Sequence, residues 1–247
     1  MWLVLAFVTA FLTSLQDVVA KTVSGRVSPY VMAWAWMFFS IPVLSLAQIG
    51  QKPVVLGPLY WPALLGNAAT LTVSSVLMFK AISAAELSQS VPLLSLTPLF
   101  LLVTSPIIVH EMPHPAGIAG VLLIVVGSYL LFLDRSKGGL WTPFKTLLRM
   151  RGSRYMLMVA FIFSIGGNLD KVGTLNSSPA FWGLTLNSLV AVTLGVLVLI
   201  KVPDVRAQVR KHWRHLLAVG TLMAFMMLTQ MTAITMTQVP YLIAIKR

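Results

Sequence analysis

The feature that most constrains this chain is a succession of long apolar runs, each about the length that crosses a bilayer. A helix spans the hydrocarbon with about 20 mostly apolar residues. Such runs occupy 2–23, 29–49, 60–81, 85–109, 114–133, 155–175, 179–200 and 214–236, and a ninth begins near Val239. They are too long for strands and lack in/out alternation, so helices are implied. Of 247 residues, 57% are hydrophobic and 10% charged, against about 25% charged in a soluble domain. The expected fold is therefore an all-α integral membrane protein with eight full spans and the start of a ninth. The first run has no basic leader and passes into a polar tail, so it reads as a retained span, not a cleaved signal.

Basic residues set the expected orientation. The loops after runs one, three, five and seven, with their flanks, hold Lys21, Arg26, Lys80, Arg135, Lys137, Lys145, Arg149, Arg151, Arg154, Lys201, Arg206, Arg210, Lys211 and Arg214. The other side holds Lys52 and Lys171. Lys/Arg-rich loops stay in the cytoplasm. The N-terminus is thus expected outside a multi-pass cell (inner) membrane protein. The net charge of +12 reads as topology and contact with membrane lipid, with no nucleic acid as partner. Within the long loop, WTPFKTLLRM (141–150) fits either a short interfacial helix or an ordinary basic loop.

Two offsets expose an internal repeat. A shift of 150 lays Ala10, Phe11 and Ser14 on Ala160, Phe161 and Ser164, Lys21 on Lys171, and Ser28-Pro29 on Ser178-Pro179. A shift of 152 lays Trp61 on Trp213, Leu64-Leu65 on Leu216-Leu217, and Ala81-Ile82 on Ala233-Ile234. Five runs make the unit. An odd number sends the second copy in from the opposite side, giving an inverted repeat, an architecture of many secondary transporters. The division expected is a first five-helix repeat over 1–133, a basic cytoplasmic linker over 134–154, and an incomplete second repeat over 155–247. By the second shift Arg247 falls on Ser95. A C-terminally incomplete ten-helix bundle is the expectation, short by roughly 40 residues.

Polar residues inside the runs are the candidate chemistry, because a charge at the bilayer centre costs about 2.5–3.5 kcal/mol. Gln16, Asp17 and Lys21 close the first run, and Asp17 and Lys21 share a helical face. They suit a cavity that binds a zwitterionic or anionic solute or handles a proton. Their structural alternative is a self-neutralising pair with Lys21 reaching the interface. Lys171 repeats Lys21, with Asn168 and Asp170 beside it. Asn67, Ser74, Ser75, Gln89, Asn187 and Gln230 are further candidates, and interhelical hydrogen bonding explains each alone. Trp34, Trp36 and Trp182 fit aromatic walls or interface anchors. Met223, Met226, Met227 and Met231 fit lipid-facing or core positions, or an adaptable lining.

HEMPH (110–114) matches the letters of the HExxH zinc motif. Pro113 and Pro115 break the single helical face that motif needs, so no metal is expected. Glu111 reads as a helix-end cap or a gate. Gly120 and Gly127, one face apart by seven, read as close helix packing. No cysteine is present, which removes disulfides and thiol chemistry. There is no phosphate-binding GxxxxGK[ST] and no GxSxG.

These stretches resemble the EamA-type family of the drug/metabolite transporter superfamily. Lys21 ahead of Ser28-Pro29, AISAAELSQSVPLLSLTPLF (81–100) with Pro98, Glu111, and GIAGVLLIVVGSYLL (117–131) carry the resemblance. The second copy repeats it at Lys171, Pro179 and AITMTQVPYLIAIKR. The resemblance implies a ten-helix bundle with a central cavity between the repeats, no cofactor, and movement of small metabolites or drug-like solutes, often export. A transporter working by alternating access, not an enzyme, is the expectation. Asp17 and Glu111 favour a proton-coupled exporter, with passive facilitated transport as the other mode. The competing readings are a membrane sensor or interaction subunit without a polar cavity, and a membrane-embedded enzyme.

Overall fold

A computed structural model describes residues 1–84, 91–133 and 151–247. Gln89 and most of the basic linker, with the stretch 141–150, lie outside the described residues. Among those described, the elements are α1 (Trp2–Val23), α2 (Pro29–Phe38), α3 (Ile41–Leu46), α4 (Tyr60–Ala84), a 3-10 segment (Val91–Leu96), α5 (Thr97–Ile108), α6 (Pro115–Leu133), α7 (Arg151–Leu175), α8 (Pro179–Lys201), α9 (Val205–Ile234) and α10 (Val239–Lys246). The described residues form no strand.

Among the described residues, six spans are long and apolar enough to cross a membrane: α1, α2 with α3, α4, α7, α8 and α9. Two shorter apolar helices accompany them. The differences from hydropathy have physical causes. The second run breaks after Phe38 because Pro42 stands in the first turn of α3 and has no N–H for the carbonyl of Phe38. Ser40 covers the break by donating its hydroxyl to Met37 O at 2.6 Å. The fourth run enters as a 3-10 segment and becomes helical only at Thr97, with Pro98 at its start and Pro106 inside. The eighth run becomes α9, which begins earlier than its apolar core, at Val205, and kinks at His212 (φ −118°, ψ 16°).

Ser28-Pro29 and Ser178-Pro179 open α2 and α8 in the same way. Each proline occupies the first turn, where its fixed φ suits a helix and no N–H is missed. Ser178 also accepts the Phe181 N–H through its hydroxyl at 3.3 Å.

Helix α1 shows how polar letters survive in an apolar run. Leu3, Val4, Phe7, Phe11, Leu15 and Val18 are exposed, toward lipid. Ala6, Thr9, Thr13, Gln16, Asp17 and Ala20 are buried at the three- and four-residue spacing of one face. The stripe is the reverse of a soluble helix: the apolar face looks out and the polar one looks in.

The two most extensive helix seams are α4 with α7 and α1 with α9. Helices α2 and α8 pack on each other, and each also packs against a seam, α2 on α9 and α8 on α4. Helix α9 meets α2 very closely. A Cβ on Gly220 would sit 2.4 Å from Phe39 Cβ and 2.9 Å from the Ala35 carbonyl oxygen. Gly120 and Gly127 do otherwise: among the described residues, nothing lies within 4 Å of a Cβ placed there. The close packing expected of them is therefore absent from this arrangement.

Candidate functional site

A cavity opens between the two seams. Thr13 and Gln16 of α1 and Met223, Met226, Met227 and Gln230 of α9 line one side. Asn67, Thr70, Ser74 and Met78 of α4, with Gly166, Gly167 and Asp170 of α7, line the other. Trp36, Leu186 and Thr97 close it laterally, and Lys246 and Arg247 complete the wall. The cavity encloses about 80 Å³, above the ~10–15 Å³ that a single water needs.

The polar side chains are held in pairs. The Trp36 indole N–H donates to Gln16 Oε1 at 2.8 Å. In the other seam the Trp182 indole N–H donates to Asp170 Oδ1 at 2.9 Å, and the Asn67 amide donates to the same oxygen at 2.7 Å. Trp182 is fully buried, and a Cβ on Gly173 would fall 2.1 Å from its ring, so only glycine admits that ring. Lys246 Nζ donates to Gln230 Oε1. Asp17 lies within electrostatic reach of Lys246 and Arg247, and the Arg247 guanidinium stands over the Phe163 ring at 5.5 Å. Gln16 Nε2, Asp17 Oδ1 and Thr97 Oγ1 are buried with no hydrogen-bond partner among the described residues.

Of the residues singled out in the sequence, Gln16, Asn67, Asp170 and Gln230 line the cavity, and Ser74 with them. Asp17 is buried on α1 and is not among the lining residues. Asn168 faces α5, accepting from Ser105 Oγ at 2.7 Å and donating to Thr104 Oγ1 at 3.0 Å. Asn187 donates to Ser40 Oγ at 2.9 Å and ties α8 to the break between α2 and α3. Trp34 stacks on Phe38 at 4.6 Å.

The two lysines sit at helix ends, outside the cavity lining. Lys21 Nζ donates to the Ile82 carbonyl at 2.8 Å. Lys171 forms an ion pair with Glu111 and donates to the Thr237 carbonyl at 2.8 Å. The other oxygen of Glu111 accepts the Val239 N–H at 3.3 Å, the first amide of α10. Glu111 thus holds a helix N-terminus from another element, where a negative charge is favourable. His110 has φ 56°, and residues 110–114 are not helical. The two histidines of HEMPH therefore share no helical face. Among the described residues, no three His, Cys, Asp or Glu group as a metal site.

Sequence reasoning did not single out Lys246, Arg247, Thr13, Thr70 or Thr97. The signal for the first two was present: two adjacent cations fall within two turns of Val239, too close to the helix start to reach the far surface at 1.5 Å per residue.

Membrane-length apolar helices around a buried cavity, walled by apolar and a few polar side chains, define a multi-pass helical membrane protein. The model of the EamA-like transporter family matches residues 1–133, and the chain belongs to that family, within the drug/metabolite transporter superfamily. Among solved structures, 13 chains match. One, described only as the crystal structure of a protein, superposes with a TM-score of 0.70 at 18% identity, covering 98% of this chain and 81% of its own. That likeness concerns the fold. No curated protein matches the chain.

Proposed function

We propose that this transporter moves a small polar metabolite or drug-like solute across the cytoplasmic membrane by alternating access between two inverted halves. One observation carries the reading: a wet-sized cavity at membrane depth whose lining includes Gln16, Asn67, Asp170 and Gln230. A sensor or interaction subunit needs no such cavity. The unpartnered atoms Gln16 Nε2 and Thr97 Oγ1 are positions that a solute's polar groups satisfy, since a buried polar atom without a partner costs about 1–3 kcal/mol.

The helix packing supports the inverted repeat. Exchange α1 with α7 and α4 with α9, as the sequence offsets direct. The α1–α9 seam then becomes the α7–α4 seam and, with α2 exchanged for α8 as Ser28-Pro29 and Ser178-Pro179 direct, the α2–α9 contact becomes the α8–α4 contact. An orientation with the N-terminus outside puts Lys171 and Glu111 at the outer end and Lys21 at the inner end. The Lys171–Glu111 pair then closes the outer end, as an exporter loaded from the cytoplasm requires. Asp17 is the proposed proton-handling group, with its oxygen unpartnered beside the cavity wall.

The test is flux of a panel of metabolites and drug-like compounds in proteoliposomes holding the full chain, with and without a pH gradient. Export of at least one solute is expected, accelerated by the gradient and reduced in Gln230→Ala and Asp170→Asn. No flux above protein-free vesicles for any compound would sink the transport reading. Flux indifferent to the gradient would remove the proton step alone.

A further inference from the structure

We propose that the basic first turns of α9 form a binding site for anionic phospholipid headgroups. The segment VRAQVRKHWR (205–214) is helical, not a loop. Arg206 and Arg210 lie four residues apart on one helical face before the kink at His212, Arg214 follows just beyond it, and all three are exposed with Lys211. Val205 and Val209, on the other side, pack against the hydrophobic core. The segment is thereby fixed with its cations outward.

One hydrogen bond holds this surface in place, and a neighbouring turn adds to its positive charge. Gln208 Oε1 accepts the Ser28 backbone N–H at 2.8 Å, which ties the segment to the turn between α1 and α2. That turn brings Arg26 within electrostatic reach of His212, together with Lys211 and His215. The kink at His212 (φ −118°, ψ 16°) separates the basic turns from the membrane-crossing part of the helix.

Among the described residues these cations enter no ion pair: Asp204, just before the helix, makes none, and the pair formed is Lys171–Glu111. Like charges four residues apart on a helix repel, and an external anion removes that cost. The apolar surroundings set the depth and hence the kind of anion. Leu199 and Ile200 are 77% and 69% exposed just before Lys201. Trp213 is 48% exposed, with the Arg214 guanidinium 5.6 Å from its ring. Leu217 follows, also exposed. Lipid-facing residues thus end on both helices at the level of the arginines, and exposed Trp marks the headgroup layer. The phosphate at that level belongs to a lipid. Basic residues beside a membrane gain about 1 kcal/mol each from anionic lipid, roughly a fivefold change in affinity per arginine.

The full chain in detergent is titrated with short-chain phosphatidylglycerol, phosphatidylcholine or inorganic phosphate, and lipid retention is counted by native mass spectrometry. Phosphatidylglycerol is expected to bind at least tenfold better than phosphatidylcholine, and less well at 500 mM NaCl, roughly as screening dictates. The triple change Arg206→Gln, Arg210→Gln and Arg214→Gln is expected to lose on the order of a hundredfold. The same three positions changed to lysine are expected to retain the preference. Equal retention of the two lipids, an unchanged preference in the glutamine triple, or competition by inorganic phosphate at equal concentration would each overturn the assignment. If the glutamine triple fails to fold, Arg210→Gln alone decides: a roughly fivefold loss supports the site, and no loss overturns it.

Discussion

Asn67 and Asp170 stand 103 residues apart in the chain and meet across α4 and α7, with the amide donating to Oδ1 at 2.7 Å. The same oxygen accepts the Trp182 indole N–H. Donors from two other helices, α4 and α8, therefore converge on one carboxylate oxygen of α7 at the cavity wall.

Removing one partner tests that convergence. Asn67→Ala leaves the buried oxygen with a single donor and is expected to cost about 1–3 kcal/mol. Asp170→Asn removes the charge, keeps an oxygen for Trp182, and is expected to fold while slowing flux. Thermal unfolding and proteoliposome flux separate the two effects. A normally active Asp170→Asn protein would exclude the carboxylate from solute binding.

Gly173→Ala is expected to act through the ring it displaces. Its Cβ would sit 2.1 Å from Trp182, so the indole must leave and the bond to Asp170 breaks. Gly220→Ala meets the backbone around Phe39 and Ala35, which yields less easily, and overpacking of this kind costs roughly 1–3 kcal/mol. Both variants should lower the unfolding midpoint, and Gly173→Ala should in addition lower flux when its folded fraction is matched to the parent.

The Glu111–Lys171 pair predicts a gating phenotype. Glu111→Gln weakens the pair and the hold on the Val239 amide together. A cysteine at Gln238, half-buried beside that contact and bonded to Met112 O, should label faster in Glu111→Gln than in the parent. Restoring opposite charges as Glu111→Lys with Lys171→Glu should slow it again. Equal rates in all three would assign the pair to stability alone.

Orientation is checked directly because the chain has no native cysteine. A cysteine at Ala207, on the exposed basic turns, should resist an impermeant maleimide in intact cells. One at Lys52, exposed on the opposite side of α2 and α3, should react. The reverse pattern inverts the topology.

The crossing helices were legible because burial in lipid demands long apolar runs, and α1, α4, α7 and α8 begin and end near the edges those runs give. The break at Ser40 was less legible: Pro42 announces it, but hydropathy averages over it. The early start of α9 was hidden for the opposite reason, since Arg206, Arg210 and Lys211 depress hydropathy in a segment that is helical and half packed. Within the site, Gln16, Asn67, Asp170 and Gln230 were visible as polar letters where polarity is expensive. The pairing of Lys171 with Glu111, 60 residues away, was not, because spacing carries no information about partners on different helices. Lys246 was overlooked because its helix is too short to register as a span.

The two principal seams interlock the chain across its own order. α1 from the beginning grips α9 from the end, and α4 grips α7 between them. Neither sequence half is then a mechanical unit. Any tilt that uncovers the cavity on one face must swing one clasped pair against the other, each carrying one helix from each half of the polypeptide. Severing the chain between Leu133 and Arg151 should therefore leave two fragments that are each insoluble alone yet recover the bundle when made together.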